Sequence, residues 1–138
     1  MSSLVLGVDP GSSKAGYALV DATGAVIAAG IVPVAELHDV VAGLARERTV
    51  AAVAMGRGTR AGPLAAALAD VGVPVHLVDE YETSRRAREL FFKDHPPRGW
   101  RRLVPRGMLF PSRPIDDYAA ILIARRFLTR VSRAVPAN

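Results

Sequence analysis

The chain has 138 residues, half of them hydrophobic, no cysteine and a formal net charge of +5. That length suits one domain with a full core. The absence of cysteine excludes a disulfide framework and a thiolate zinc site, so a reducing, cytoplasmic setting is expected. No charged segment with a long apolar stretch behind it opens the chain, and no apolar run nears the ~20 residues that span a bilayer, so no membrane partner is expected.

Three short apolar runs come first, Leu4 to Val8, Ala15 to Val20 and Ala25 to Val32, separated by Gly11 and by Ala22-Thr23-Gly24. They predict an antiparallel meander. Asp9 stands at the end of the first run, where Pro10 keeps it extended and Gly11 permits the reversal. Val34 to Arg48 places Leu37, Val40, Val41, Leu44 and Ala45 at helical spacing, with Glu36 early and Arg46 and Arg48 late, which predicts a helix. Val50 to Met55 then reads as a strand, Gly62 to Val71 as a short helix and Val73 to Val78 as a second strand. This βαβ alternation makes the two strands parallel and buried on both faces.

Thr83 or Ser84 can cap a helix running to about Lys93, and a last helix runs from about Ile115 to Val131. Between them, Asp94 to Pro114 holds five prolines and is too long for a passive connection. The expected organisation is therefore one domain over residues 1–131, with a basic, proline-rich loop at 94–114 and a frayed tail at 132–138. Meander, helix, strand, helix, strand, helix is the element order of a ribonuclease H-like α/β fold. It has a mixed five-stranded sheet, three antiparallel strands plus two parallel ones, flanked by helices.

In that arrangement the first, fourth and fifth strands end at one edge, which gathers acids. Asp9 ends the first strand and Asp79-Glu80 follow the fifth. On the last helix, Arg125, Arg126, Arg130 and Arg133 mark a polar face, so the opposite face leads from Phe127 back through Ile123 or Ala124 and Ala120 to Asp116 or Asp117. Crowded carboxylates raise one another's pKa unless divalent cations neutralise them. An all-oxygen site implies Mg²⁺ or Mn²⁺, held by Asp9, Glu80 and Asp116 with Asp117 beside them. Each acid also has a local alternative, in a turn or at a helix N-terminus.

Between Arg85 and Arg113 stand nine cations, Arg85, Arg86, Arg88, Lys93, Arg98, Arg101, Arg102, Arg106 and Arg113, against two anions, Glu89 and Asp94. Such a segment suits a polyanion, and the arginine fork suits phosphate, although compositional bias also raises arginine. Lys14, and Arg57 and Arg60 on the Gly56 to Gly62 loop, add cations near the acids. Trp100 and Phe110 could stack on bases or fold the loop onto the core. His38, His76 and His95 lack ligand spacing. The first two read as structural, and the third, in the basic loop, could meet phosphate.

Three stretches then resemble the signature blocks of the YqgF/RuvX family: Gly7-Val8-Asp9-Pro10-Gly11-Ser12-Ser13-Lys14-Ala15-Gly16-Tyr17-Ala18, Val78-Asp79-Glu80 with Thr83-Ser84, and Ile115-Asp116 with Ala119-Ala120. These are ribonuclease H-like, RuvC-related Holliday junction resolvase homologues, also linked to processing of ribosomal RNA precursors. The resemblance spans Leu4 to Leu128. It implies Asp9, Glu80 and Asp116 as catalytic acids and Lys14 as the basic residue of the first block. It also has gaps. Tyr81 stands where the family has Arg, Gly56 to Gly62 is not of the family's Gly-Leu-Pro type, and no acid lies near Met55 or Gly56, where RuvC proper carries one.

The function expected is metal-dependent hydrolysis of phosphodiester bonds in branched DNA or structured RNA, by Holliday junction resolution or rRNA precursor processing. Lys14, Arg57, Arg60, Arg85, Arg86, Arg98, Arg101, Arg102 and Arg106 would hold the backbone. Resolving a symmetrical junction takes two cuts and so favours a homodimer. One rival is a nucleic-acid-binding module of the same fold without catalysis. Another is a single-lobe ATP-binding protein of the sugar kinase and actin superfold, though that superfold encloses nucleotide between two lobes.

Overall fold

The computed structural model of the protein describes residues 4–11, 13–57, 61–78, 83–96, 103 and 116–134, with backbone alone for 83–85 and 132–134. β1 (Leu4–Pro10), β2 (Lys14–Val20) and β3 (Val26–Pro33) form the expected meander. β4 (Val50–Gly56) runs parallel to β1, and β5 (Val75–Val78) parallel to β4, giving one sheet in the order β3-β2-β1-β4-β5. This is a mixed five-stranded sheet of ribonuclease H-like topology with β1 at its centre.

Strand periodicity divides the core. Leu4, Leu6 and Val8 turn to one face, where Leu37 and Val41 of α1 (Val34–Glu47) and Leu68 cover them. Val5, Val20, Ala52, Ala54 and Val78 turn to the other, beneath Ile123, Ala124 and Phe127 of α4 (Asp116–Ala134). Alongside, Phe91 and Phe92 of α3 (Thr83–Asp94) pack with Tyr118, Ala119 and Ala120 of α4 and Ala18 of β2. Two apolar faces on strands of alternating side chains leave β1 almost wholly apolar, as its sequence requires.

α4 lies unusually close to β1 and β2, and two glycines explain it. A Cβ on Gly7 would fall on the Ala120 carbonyl and within 2.9 Å of the Ala124 side chain. A Cβ on Gly16 would fall on the Asp116 carbonyl and 2.7 Å from the Asp117 nitrogen. Any other residue at either place would lift the helix.

The helix over 62–71 is instead two pieces, α2 (Ala61–Ala67) and a 3₁₀ turn (Ala69–Val71). Leu68 N–H is shared between the carbonyls of Leu64 and Ala65, at 3.1 and 3.2 Å, and Val71 N–H donates to Leu68 at 3.1 Å. This tightening winds the last turn to three residues before Gly72 ends it. β5 starts at Val75, not Val73. Pro74 has no N–H to pair, and its carbonyl accepts from Val53 N–H at 2.8 Å. α4 continues to Ala134, into the expected tail. Pro136 restricts only residue 135, so helix is permitted up to 134. The β2–β3 turn keeps its expected place, since Asp21 Oδ1 accepts the N–H groups of Thr23 and Ala25 at 2.9 and 3.0 Å.

The two sheet edges differ. Arg130 reaches β5, its guanidinium donating to the Leu77 carbonyl at 3.3 Å. β3 is apolar along its length, with Val26 and Ile27 exposed.

Candidate active site

The register sets the site. Val8 pairs with Met55 and Gly56 with Val78, so β1, β4 and β5 finish at a common edge. Asp9 lies one residue past the last β1–β4 pair, opposite Gly16 on β2. Over that pair sits the first turn of α4, brought down by Gly16 until the Asp116 side chain meets that of Asp9 in a hydrogen bond. Two carboxyl groups can bond in this way only by sharing a proton. Residues 107 positions apart in the sequence thus converge on one point.

Burial pushes the Asp116 carboxyl above the usual carboxylate range. The hydrogen bond from Asp9 opposes the rise, the charge of Asp117 adds to it, and that of Lys14 opposes it. Lys14, exposed at the start of β2, is therefore a cation whose charge reaches the pair. Asp117 Oδ1 accepts Tyr118 N–H at 3.0 Å, while Asp116 is the acid turned to Asp9.

Tyr118 ties α4 to α3. Its hydroxyl donates to Asp94 Oδ2 at 3.0 Å, and its ring meets Phe91 edge-on, centroids 5.7 Å apart. His95 stacks on Phe91 at 4.6 Å, with Nδ1 3.2 Å from the Phe91 carbonyl oxygen, so this histidine is engaged in packing. The two ends of the 94–118 span are thereby tied to each other, Tyr118 lying two residues past Asp116. His38 bonds Asp70 at 2.7 Å, and the His76 ring lies tilted against Phe127 with centroids 5.1 Å apart, so each has a partner within the fold.

Of the other expected site residues, Arg57 is exposed just past β4, its N–H donating to the Val78 carbonyl at 2.8 Å across the same edge. Arg86 is exposed on α3. The expectations for Glu80, Arg60, Arg98, Arg101, Arg102 and Arg106, and for the aromatic residues Trp100 and Phe110, lie outside the described residues, as does the side chain of Arg85. β4 closes on buried Gly56, without a carboxylate.

Among the described residues, no group of three or more carboxylate, imidazole or thiolate side chains could hold a metal ion. Asp9 and Asp116 are two of the expected ligands that the structure brings together, and they would offer oxygens to a cation. Their character fits a hard divalent cation, which would relieve the repulsion of like charges that burial and Asp117 impose on Asp116. Gly16 and the Tyr118–Asp94 bond are the features near the acids that sequence reasoning missed. The signal for Gly16 was present in its place opposite Asp9, but only the docking of α4 reveals its use.

The topology and the acid-bearing edge define a ribonuclease H-like α/β protein. No protein-family model matches the sequence, and no curated protein matches it. Among solved structures, the chain is similar to RuvC of Thermus thermophilus in complex with a Holliday junction substrate, at 20% identity and a TM-score of 0.60, over 96% of this chain and 94% of that one. A second structure of Thermus thermophilus RuvC gives 18% identity and a TM-score of 0.56, over 95% and 94%. At that identity the likeness establishes the fold. A ROK family glucokinase from Streptomyces griseus matches 62% of this chain and 36% of that one, at 24% identity and a TM-score of 0.48.

Proposed function

We propose that the protein is a metal-dependent endonuclease for structured nucleic acid, of the YqgF/RuvX kind, with Asp9, Glu80 and Asp116 as its catalytic acids. The observation that carries this is the contact of Asp9 with Asp116 at the C-terminal edge of the parallel strands, in a fold shared with a protein solved on a Holliday junction. Glu80 is assigned as the third acid on the sequence, since it follows by two residues Val78, where β5 ends on the same edge. Mg²⁺ or Mn²⁺ bound there would draw charge from a phosphate oxygen and make a bound water acidic.

The chain's own residues supply the rest. Asp9 and Asp116 present oxygens from two rigid elements, a strand end and a helix start, so little reorganisation accompanies reaction. Lys14 and Arg57 flank the edge and, with Arg86, offer charge to the flanking phosphates. Arg60, Arg85, Arg98, Arg101, Arg102 and Arg106 extend that contact along the backbone. Water adds to phosphorus and one P–O bond breaks, leaving a phosphate on one product and a hydroxyl on the other. A homodimer would supply two cuts for a symmetrical junction.

A second reading is favoured by the end of β4. Where RuvC resemblance calls for an acid, the chain has Gly56 and then Arg57, which suits binding without cleavage. The test is incubation of wild type and Asp9→Asn with labelled four-way junctions, duplex DNA and a structured rRNA precursor fragment, with Mn²⁺, Mg²⁺ or chelator. Cutting that needs metal and disappears in the variant supports the nuclease, and the preferred substrate separates junction resolution from RNA processing. Salt-sensitive gel shifts without cutting in any condition give the binding module.

A further inference from the structure

We infer that Gly16, which carries no functional group, is a positioning residue that fixes the separation of the Asp9 and Asp116 carboxylates and thereby the affinity of the site for a divalent cation. The inference rests on the proposed function and deepens it. Gly16 is the cross-strand partner of Asp9, and the space its missing side chain leaves is occupied by the Asp116 carbonyl and the Asp117 nitrogen. One backbone position therefore touches both ligand-bearing elements. A methyl group there must push back the first turn of α4, because backbone atoms, unlike a flexible side chain, cannot swing aside. Displacing a ligand by about 1 Å is enough to spoil a preorganised site.

Gly7 provides the comparison. It admits the same helix at Ala120 and Ala124, one to two turns farther from the acids. Gly7→Ala disturbs packing of α4 without bearing directly on Asp116.

The experiment is Mn²⁺ binding by titration calorimetry on wild type, Gly16→Ala, Gly7→Ala and Asp116→Glu, each checked for folding by circular dichroism. Asp116→Glu lengthens the ligand by one methylene without adding bulk beneath the helix, so it tests the spacing even if Gly16→Ala does not fold. Expected is a loss of affinity of about tenfold or more in Gly16→Ala and in Asp116→Glu, and a distinctly smaller loss in Gly7→Ala, whose methyl group meets α4 farther from Asp116. Partial recovery in Gly16→Ala/Asp116→Glu would support the inference further. Wild-type affinity in Asp116→Glu, or in a folded Gly16→Ala, overturns the positioning role while leaving the metal site standing. Equal losses in Gly7→Ala and Gly16→Ala overturn it as well, since helix docking in general would then govern the site. If wild type binds no Mn²⁺, the proposed function fails first and the inference falls with it.

Discussion

Asp116 is held where burial opposes its ionisation, an effect that the hydrogen bond from Asp9 counters and the charge of Asp117 reinforces. Its folded-state pKa is raised, so the native chain keeps a proton that the unfolded chain loses near pH 3.8. Stability therefore falls as pH rises from that value through the folded pKa, and stays lower above it. Asp116→Asn removes the effect. In metal-free protein at pH 7 we expect its melting temperature to exceed that of wild type by about 3 °C, and its stability between pH 4 and 7 to be flatter, both read by thermal melts. Added Mn²⁺ should raise the melting temperature of wild type and not of the variant. A wild type indifferent to both pH and Mn²⁺ would remove the pair from any metal-binding role. At the same scale, Asp9→Asn should lower metal-dependent cleavage by at least about 100-fold, in proportion to the loss of a charged ligand.

Elements were legible where a single periodicity governs them. The three meander strands could be read as short apolar runs parted by turn residues, α1 because its apolar residues recur at helical spacing, and α4 because its arginines marked its outer side. The break after Ala67 was not legible, since Ala-rich sequence suits α and 3₁₀ winding alike and only the hydrogen bonds of Leu68 distinguish them. Nor could the sequence choose between Asp116 and Asp117, which adjoin at a helix start. The choice depends on how far α4 descends onto Gly16. Two element-level expectations follow. Ile123, buried where α4 meets the sheet, should cost about 2–4 kcal/mol when changed to Ala, measured by urea unfolding. His38 on α1 and Asp70 in the 3₁₀ turn form a tie 2.7 Å long that raises the His38 pKa above 6.5, chiefly through its hydrogen bond to Asp70. The tie contributes fully below pH 6.5 and is lost as pH climbs through the raised value. Asp70→Asn should therefore lower the melting temperature at pH 5.5 and leave it nearly unchanged at pH 9.

For the whole molecule, charge is the feature that sequence shows best and fold shows least. Half of the basic residues fall between Arg85 and Arg113, a span whose neighbouring helices α3 and α4 are pinned together by Tyr118 and Asp94 at the acid edge. Nucleic-acid affinity should fall steeply with salt. If roughly half of the nine cations reach phosphates, a log–log slope near about −4 is expected on duplex DNA, from gel shifts between 50 and 200 mM salt. A slope near zero would dissociate the basic segment from binding. Among the described residues, no helix is long and apolar enough to cross a membrane.

The order of the elements along the chain has a consequence for biosynthesis. The sheet face formed by Val5, Val20, Ala52, Ala54 and Val78 has its cover in α4, which follows every strand. A ribosome adding about 5–20 residues per second leaves that greasy surface, once complete, bare for roughly 2 to 10 seconds between making Val78 and making Phe127. During that interval a nascent chain would be a client for chaperones and could hold no acid pair. Docking of the last helix hides the surface and assembles the carboxylates in one event, so a chain released early would be sticky and inert rather than partly active.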